Sequence, residues 1–222
     1  MEYHPPDSLS YCEVDERFVF LDVAHDRYFC LGADAEDAFR TALADAGDSG
    51  DADGPAATAN RPDRLMSAIV ARQPQRCDAG DIPMTSLLDS TPRPPSILTV
   101  LSALVRLARV RRTLRRGGFA ALIAGLRAAK ARPVPVPAAE RARIERLALD
   151  FERTARFTRS HDQCLPRAIT LARMAVARGM DVELVIGVQL RPFAAHAWVR
   201  SGSTLLNEHV DAARIYTPIL VV

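Results

Sequence analysis

Aromatic residues are scarce, at 6% of the 222 residues, and no long apolar run is present. The most hydrophobic stretch, Ile97 to Val105, is interrupted by Arg106. It is under half of the roughly 20 residues a membrane-spanning helix needs, so no membrane partner is expected. The opening MEYHPPDSLS has neither a basic start nor an apolar run, which argues against a secretory signal. An excess of one charge is also missing: the net charge is +2, so nothing global calls for nucleic acid. The four cysteines, Cys12, Cys30, Cys77 and Cys164, contain no C-x-x-C pair, and the chain is too long for a disulfide scaffold. His4, His25, His161 and His209 have no metal-ligand spacing with them, so no metal is expected. No phosphate-binding P-loop appears either, so no cofactor is expected in this chain. These absences leave a reduced, cytoplasmic protein in which a lone cysteine with a distant histidine is the chemistry to test.

What is present is unevenly distributed. The first sixty residues are acidic, and Arg106 to Arg132 are strongly basic. Leu9 to Val14, Phe18 to Val23 and Arg27 to Leu31 are short β-type runs separated at hairpin distances. Asp34 is expected to cap a helix carrying Ala35, Ala38, Phe39, Ala42 and Leu43 on its apolar face. Ala44 to Asn60 reads as a loop, and Arg64 to Arg72 as a short helix capped by Asp63 with Leu65, Ile69 and Val70 inward. Cys77 to Ser96 is broken by prolines, and TPRPP at 91–95 marks a domain boundary, giving domains 1–90 and 91–222.

Helical segments follow at Ile97 to Arg116, Phe119 to Lys130 and Ala138 to Thr158, the last two separated by the stiff PVPVP at 133–137. A turn over Arg159 to Asp162 leads to a helix from Gln163 to Arg178, stopped by Gly179. The pattern then changes to period 2, with Val182, Leu184, Ile186 and Val188 alternating on one strand. Ala194 to Arg200 and Thr204 to Glu208 form two more strands, joined at Ser201-Gly202.

Asp162 as N-cap places Cys164 near the second helical position. Amides there lack intrahelical acceptors and the helix end is positive, so thiolate is favoured and a developing oxyanion has donors. Pro166 suits the first turn, where no amide donor is needed. His196 lies in the apolar strand AAHAWV. A two-residue turn at Ser201-Gly202 puts Asn207 opposite it, a three-residue turn puts Glu208 there, and Asp211 lies just beyond. An isolated cysteine is usually a small buried hydrophobe. The pair, with an acid across the hairpin, favours a nucleophile, a base and an orienting group.

The stretch QCLPRAITLARMAVARGMDVELVIGVQLRPFAAHAWVRSGSTLLNE resembles the transglutaminase-like peptidase of lasso-peptide biosynthesis, the B protein family. CLPRA, RGMDVELVIGV, PFAAHAWV and LLNE carry the resemblance over 160–222. FVFLDVAHDRYFCLG resembles a PqqD-type recognition domain, a winged-helix-like unit of three strands and three helices. The implied fold class is α+β, that unit followed by a papain/transglutaminase-like domain of helices on an antiparallel sheet. The resemblance implies Cys164 as nucleophile, His196 as base and Glu208 as acid, with Asn207 and Asp211 open. It implies a leader peptide added alongside Arg27, Tyr28, Phe29, Cys30 and Leu31. Tyr28 and Cys30 would then lie on one face of a groove, and Phe29 and Leu31 on the other. The implied partners are a precursor peptide and an asparagine-synthetase-like cyclase that uses ATP. Two other classes compete: a non-catalytic peptide adaptor, and a DNA-binding regulator using RVRRTLRR at 109–116, a run more often a solvated helix face.

Overall fold

The computed structural model describes residues 8–48, 69, 72–89, 96–132, 140–154 and 163–222. Asp63, most of the expected helix at 64–72, TPRPP at 91–95, PVPVP at 133–137 and the turn with Asp162 lie outside the described residues. The chain forms two compact units, Met1–Arg76 and Cys77–Val222. They part ahead of the expected boundary at residue 90. Strand β5 (Thr85–Ser86) pairs with a strand near the C-terminus, and the Ser86 hydroxyl donates to the Glu208 carbonyl at 2.7 Å. Among the described residues, no helix is long and apolar enough to cross a membrane.

In the first unit, β1 (Leu9–Val14), β2 (Arg17–Asp22) and β3 (Arg27–Cys30) form an antiparallel meander, with β4 (Gln75–Arg76) parallel to β1. Tight turns close both hairpins, and Asp15, Glu16 and Asp26 adopt positive φ there. Nearly every residue of β2 is buried, as its apolar run requires. The helix α1 (Ala33–Asp48) starts one residue earlier than its expected cap and runs into the segment expected to be a loop. Asp34 therefore sits in its first turn, where its charge complements the helix end.

Phe39 packs edge-on against Tyr11, Phe18 and Phe20, and Ile69 closes the same core. Ala38 is exposed, contrary to expectation, and Glu36 is buried instead. Its carboxylate accepts from Arg17 Nε at 2.6 Å and from the Phe18 amide at 3.0 Å, which satisfies a charge that burial would otherwise penalise. Asp22 is handled the same way. Burial pushes its pKa up, but hydrogen bonds from Arg72 and His25 outweigh this and hold it far below the usual carboxylate range.

The second unit is a helical layer on a five-stranded sheet of order β5, β8 (Thr204–Leu205), β7 (Phe193–Ser201), β6 (Glu183–Leu190) and β9 (Thr217–Val221). Its helices are α2 (Ile97–Leu114), α3 (Phe119–Lys130), α4 (Glu140–Glu152) and α5 (Cys164–Val176). Ser96 caps α2 by accepting from the Thr99 amide, and its own amide reaches Asp150 on α4 at 3.1 Å. The helix α5 is the centre of the unit: it packs on α2, α3 and α4 and on two sheet strands. Ala168, Ile169, Leu171, Ala172, Met174 and Ala175 are completely buried along it. Each large apolar side chain there contributes on the order of 2 kcal/mol, and the alanines allow close approach.

The sheet consists of β6 (Glu183–Leu190), β7 (Phe193–Ser201), β8 (Thr204–Leu205) and β9 (Thr217–Val221), with a short helix α6 (Val210–Arg214) before β9. The expected period-2 face of β6 holds, yet Val185 is also buried. A second cluster of Trp198, Leu205 and Ala213 with Val210 and Tyr216 covers its other side. The β5 strand, the helix α6 and the strand β9 were not expected. Pro218 in β9 is tolerated because that strand is an edge.

Candidate active site

The chain enters α5 differently from expectation. Gln163 occupies the N-cap position without a side-chain capping bond, so Cys164 is the first helical residue. The Gln163 side-chain oxygen instead accepts from Arg111 Nη2 on α2, which ties the start of α5 to the neighbouring helix. Pro166 is third in the helix, where its missing amide costs nothing. The first intrahelical bond runs from the Arg167 amide to the Gln163 carbonyl at 3.1 Å. The Leu165 amide therefore has no intrahelical acceptor, and it bonds the Cys164 sulfur.

His196 approaches from β7. Its ring is hydrogen-bonded to Cys164 on one side and to Glu208 on the other, with Nε2 to Glu208 Oε2 at 2.5 Å. Since Nε2 is committed to Glu208, the nitrogen available to Cys164 is Nδ1. The hairpin that brings Glu208 back has neither register considered from sequence. Its loop is Gly202-Ser203, with Ser201 opposite Thr204 and Arg200 opposite Leu205. The strand ends at Leu205, not at Glu208. Glu208 thus reaches His196 from the segment beyond the strand, its other oxygen accepting from the His209 amide at 2.8 Å. Asn207 does a different job, its Oδ1 accepting from the Val199 amide at 2.8 Å. Asp211 is exposed in the first turn of α6.

The electrostatics follow from these contacts. Burial raises the Cys164 pKa, but hydrogen bonds from His196 and from the Leu165 and Ala197 amides bring it below the ordinary thiol value. Burial lowers that of His196, and the bonds to Cys164 and Glu208 reverse this and carry it up to about 9. Burial opposes ionisation of Glu208, yet its bonds to His196 and the His209 amide leave it lowered. All three shifts favour a thiolate–imidazolium–carboxylate arrangement at neutral pH. Such an arrangement supports attack on a carbonyl and protonation of a leaving amine.

Four contributors escaped the sequence reading. Ala197 supplies an amide to the sulfur. Gly187 lies directly across from His196 on β6, and a Cβ there would meet Trp198 at 2.7 Å and Tyr216 at 2.9 Å. Its bareness lets both rings close beside the imidazole, whose centroid is 5.2 Å from that of Tyr216. Arg167, one turn along from Cys164, pairs with Glu152 of α4 at 2.8 Å. Burial raises the Glu152 pKa and the charge of Glu208 pushes it the same way, so this pair borders the site. A lone glycine inside a β-branched run was the one local signal available for any of these.

The residues expected to meet a leader peptide separate by face. Phe29 stacks on Phe20 at 5.1 Å, and Leu31 is buried in the same core, so those two are packing residues rather than groove walls. Arg27 and Cys30 are exposed and Tyr28 is half-buried. Among the described residues β3 pairs only with β2, so it is an edge strand. No group of three or more His, Cys, Asp or Glu side chains that could hold a metal occurs among the described residues.

A central helix that presents a cysteine at its first position to a histidine on an antiparallel sheet defines a transglutaminase-like fold. The family profile described as the transglutaminase-like superfamily matches residues 103–221, more than half of the chain, and the chain belongs to that superfamily. Over 45 residues it is 40% identical to the microcin J25-processing protein McjB of Escherichia coli. That stretch is 20% of this chain and 22% of that protein, so the match spans about a fifth of each. No solved structure matches the chain.

Proposed function

We propose that this chain is a leader peptidase of lasso-peptide maturation, cutting a ribosomally made precursor between leader and core. The observation that carries the reading is the Cys164–His196–Glu208 constellation, supported by the partial likeness to a protein that processes a microcin. The Cys164 thiolate attacks the scissile carbonyl, forming a carbon–sulfur bond. The oxyanion is held by amides at the start of α5, with that of Ala197 within reach once the sulfur has been consumed. His196 gives its proton to the departing amine as the carbon–nitrogen bond breaks. Water then attacks the thioester, His196 takes a proton from it, the carbon–sulfur bond breaks to return the Cys164 thiolate, and the leader leaves as a carboxylic acid. Glu208 keeps the ring oriented throughout and stabilises its protonated form at the start and end of the cycle.

In this reading the first unit holds the leader, which adds as a strand along β3 beside Arg27, Tyr28 and Cys30. Holding the leader raises the local concentration of the cleavage site, so the catalytic cleft needs little affinity of its own. The freed core amine passes to an asparagine-synthetase-like cyclase, which uses ATP to close the ring; this chain needs no cofactor and works in the cytoplasm. The test is to incubate the purified protein with a candidate precursor, with and without the cyclase, and follow the products by mass spectrometry. Free leader and core should appear with the wild type and not with Cys164→Ala. Undiminished cleavage by Cys164→Ala would sink the peptidase reading and return the chain to the adaptor class.

A further inference from the structure

Away from the catalytic residues, α2, α3 and α5 enclose a pocket of about 140 Å³ lined by Arg106, Arg109, Arg173, Thr113, Thr170 and the apolar pair Val110 and Leu122. Thr170 and Arg173 lie roughly two turns or more along α5 from Cys164 and on its opposite side, at 100° per residue. An occupant there does not enter the catalytic cleft.

The charge of this pocket is one-sided. Three arginines, all exposed, line it and no acidic residue does. Among the described residues Arg109 and Arg173 have no ion pair or side-chain hydrogen bond, and Arg106 reaches only the Ser102 hydroxyl at 3.3 Å. Crowding of like charge extends past the rim. Arg178, partly buried nearby, has its pKa lowered first by burial and then by the charges of Arg106 and Arg143. The threonine hydroxyls cannot serve as donors to a ligand, since Thr113 donates to the Arg109 carbonyl and Thr170 to the Pro166 carbonyl. All donors into the space are therefore guanidinium N–H groups, whose planar forks match tetrahedral oxyanions. The volume, about 140 Å³, is that of a cavity able to take one small molecule, which is enough for a phosphoryl group.

We propose that this pocket is a binding site for a phosphate-class oxyanion, held by Arg106, Arg109 and Arg173. A doubly charged phosphoryl group with several acceptor oxygens offsets the three cations around one pocket better than a single carboxylate does. The site is independent of the peptidase reading.

The single tryptophan, Trp198, belongs to the core of this unit, so its fluorescence reports unfolding of the unit that holds the pocket. The full chain is melted in a non-phosphate buffer with added phosphate, pyrophosphate, glutarate or chloride at matched ionic strength. Phosphate or pyrophosphate should raise the midpoint saturably, by about 5 °C or more at a hundredfold excess over Kd. Chloride should not. Arg173→Gln and Arg109→Gln should each melt at or above the unliganded wild-type midpoint, because repulsion is relieved, and each should lose most of the phosphate response. If one variant is itself destabilised, the other gives an independent reading. Equal responses to phosphate and chloride overturn the proposal, as does a phosphate response that survives both substitutions. A saturable glutarate response equal to that of phosphate overturns the assignment to the phosphate class.

Discussion

Replacing Glu208 by glutamine keeps the size of the side chain and an oxygen that can accept from His196, and removes only the charge. In the structure that charge is 2.5 Å from His196 Nε2, and both side chains are about four-fifths shielded from solvent. A charge-assisted hydrogen bond in such a setting is worth roughly 1.5–3 kcal/mol. At 1.36 kcal/mol per pKa unit, its loss should bring His196 down by about one to two units from its value of about 9. The active form has Cys164 as thiolate and His196 protonated, so activity falls at low pH as the thiolate is protonated and at high pH as His196 loses its proton. Glu208→Gln should therefore move the alkaline limb of kcat/KM downward into the range of about 7 to 8 and reduce its maximum by about 10- to 100-fold. Glu208→Asp should fall between, because one methylene less opens the contact by over 1 Å while keeping the charge. The assay is the initial rate of precursor cleavage between pH 5 and 10, quantified by mass spectrometry. An alkaline limb that stays near 9 with a rate within twofold of wild type would refute the assignment of Glu208 as partner of the imidazolium.

Two further substitutions test the surroundings of the site and the first unit. Gly187→Ala places a Cβ within 2.7 Å of Trp198 and 2.9 Å of Tyr216, so those rings must shift. Overpacking of this kind costs about 1–3 kcal/mol, and it should shift Trp198 emission and slow cleavage together; a wild-type spectrum and rate would show that the rings have room. Asp22→Asn leaves Arg72 without the carboxylate it meets at 2.6 and 2.9 Å, at a cost of about 3 kcal/mol read as lost hydrogen-exchange protection in β1 and β2. Because the folded pKa of Asp22 is depressed, its contribution is complete above the unfolded value near 3.8 and is lost as pH falls through the folded value. Wild-type protection in those strands should weaken below pH 4, whereas in Asp22→Asn it should already be reduced at pH 7; equal protection in the two proteins at pH 7 would count against the ion pair.

The strands β1 to β3 were legible because apolar runs alternated with short polar turns, and α2, α3 and α5 because proline and glycine punctuate them. The segment 85–89 was not. The prolines on either side of it, Pro83 and Pro92, argue against regular structure, and only pairing with a strand more than a hundred residues later makes Thr85–Ser86 a strand at all. Glu36 illustrates the opposite failure: a charged residue on a helix reads as exposed until Arg17 and the Phe18 amide, distant in sequence, arrive to pair with it. The cysteine and histidine were legible from their element types, one at a helix start and the other in an apolar strand. Register alone leaves Asn207 and Glu208 both open, and neither register forms, because the loop lies one residue further on; the preference for Glu208 comes from the family resemblance of LLNE. A hairpin loop shift of one residue moves every cross-strand neighbour, which no local pattern in HAWVRSGSTLLNE could have fixed.

The shortness of β8 connects that register to the chemistry. Val199 directs its amide toward the β8 side of β7, where Asn207 Oδ1 accepts it. By the two-residue period of a strand, Ala197 directs its amide to the same side. With Arg200 opposite Leu205 and Ser201 opposite Thr204, a continued ladder would set residue 208 against Ala197. Its backbone would then occupy the amide that now bonds the Cys164 sulfur. The ladder instead ends half-way through the next pair: the Leu206 amide still bonds the Val199 carbonyl at 2.9 Å, but the Asn207 side chain takes the place of a backbone acceptor for the Val199 amide. That substitution lets the chain leave the sheet one pair early, which does two things at once. It exposes the Ala197 amide to the sulfur, and it frees Glu208 to reach His196 through its side chain rather than sit beside it as a strand neighbour. Asn207, considered from sequence only as a rival to Glu208, is on this geometry the residue that ends the strand and makes the Glu208 contact reachable.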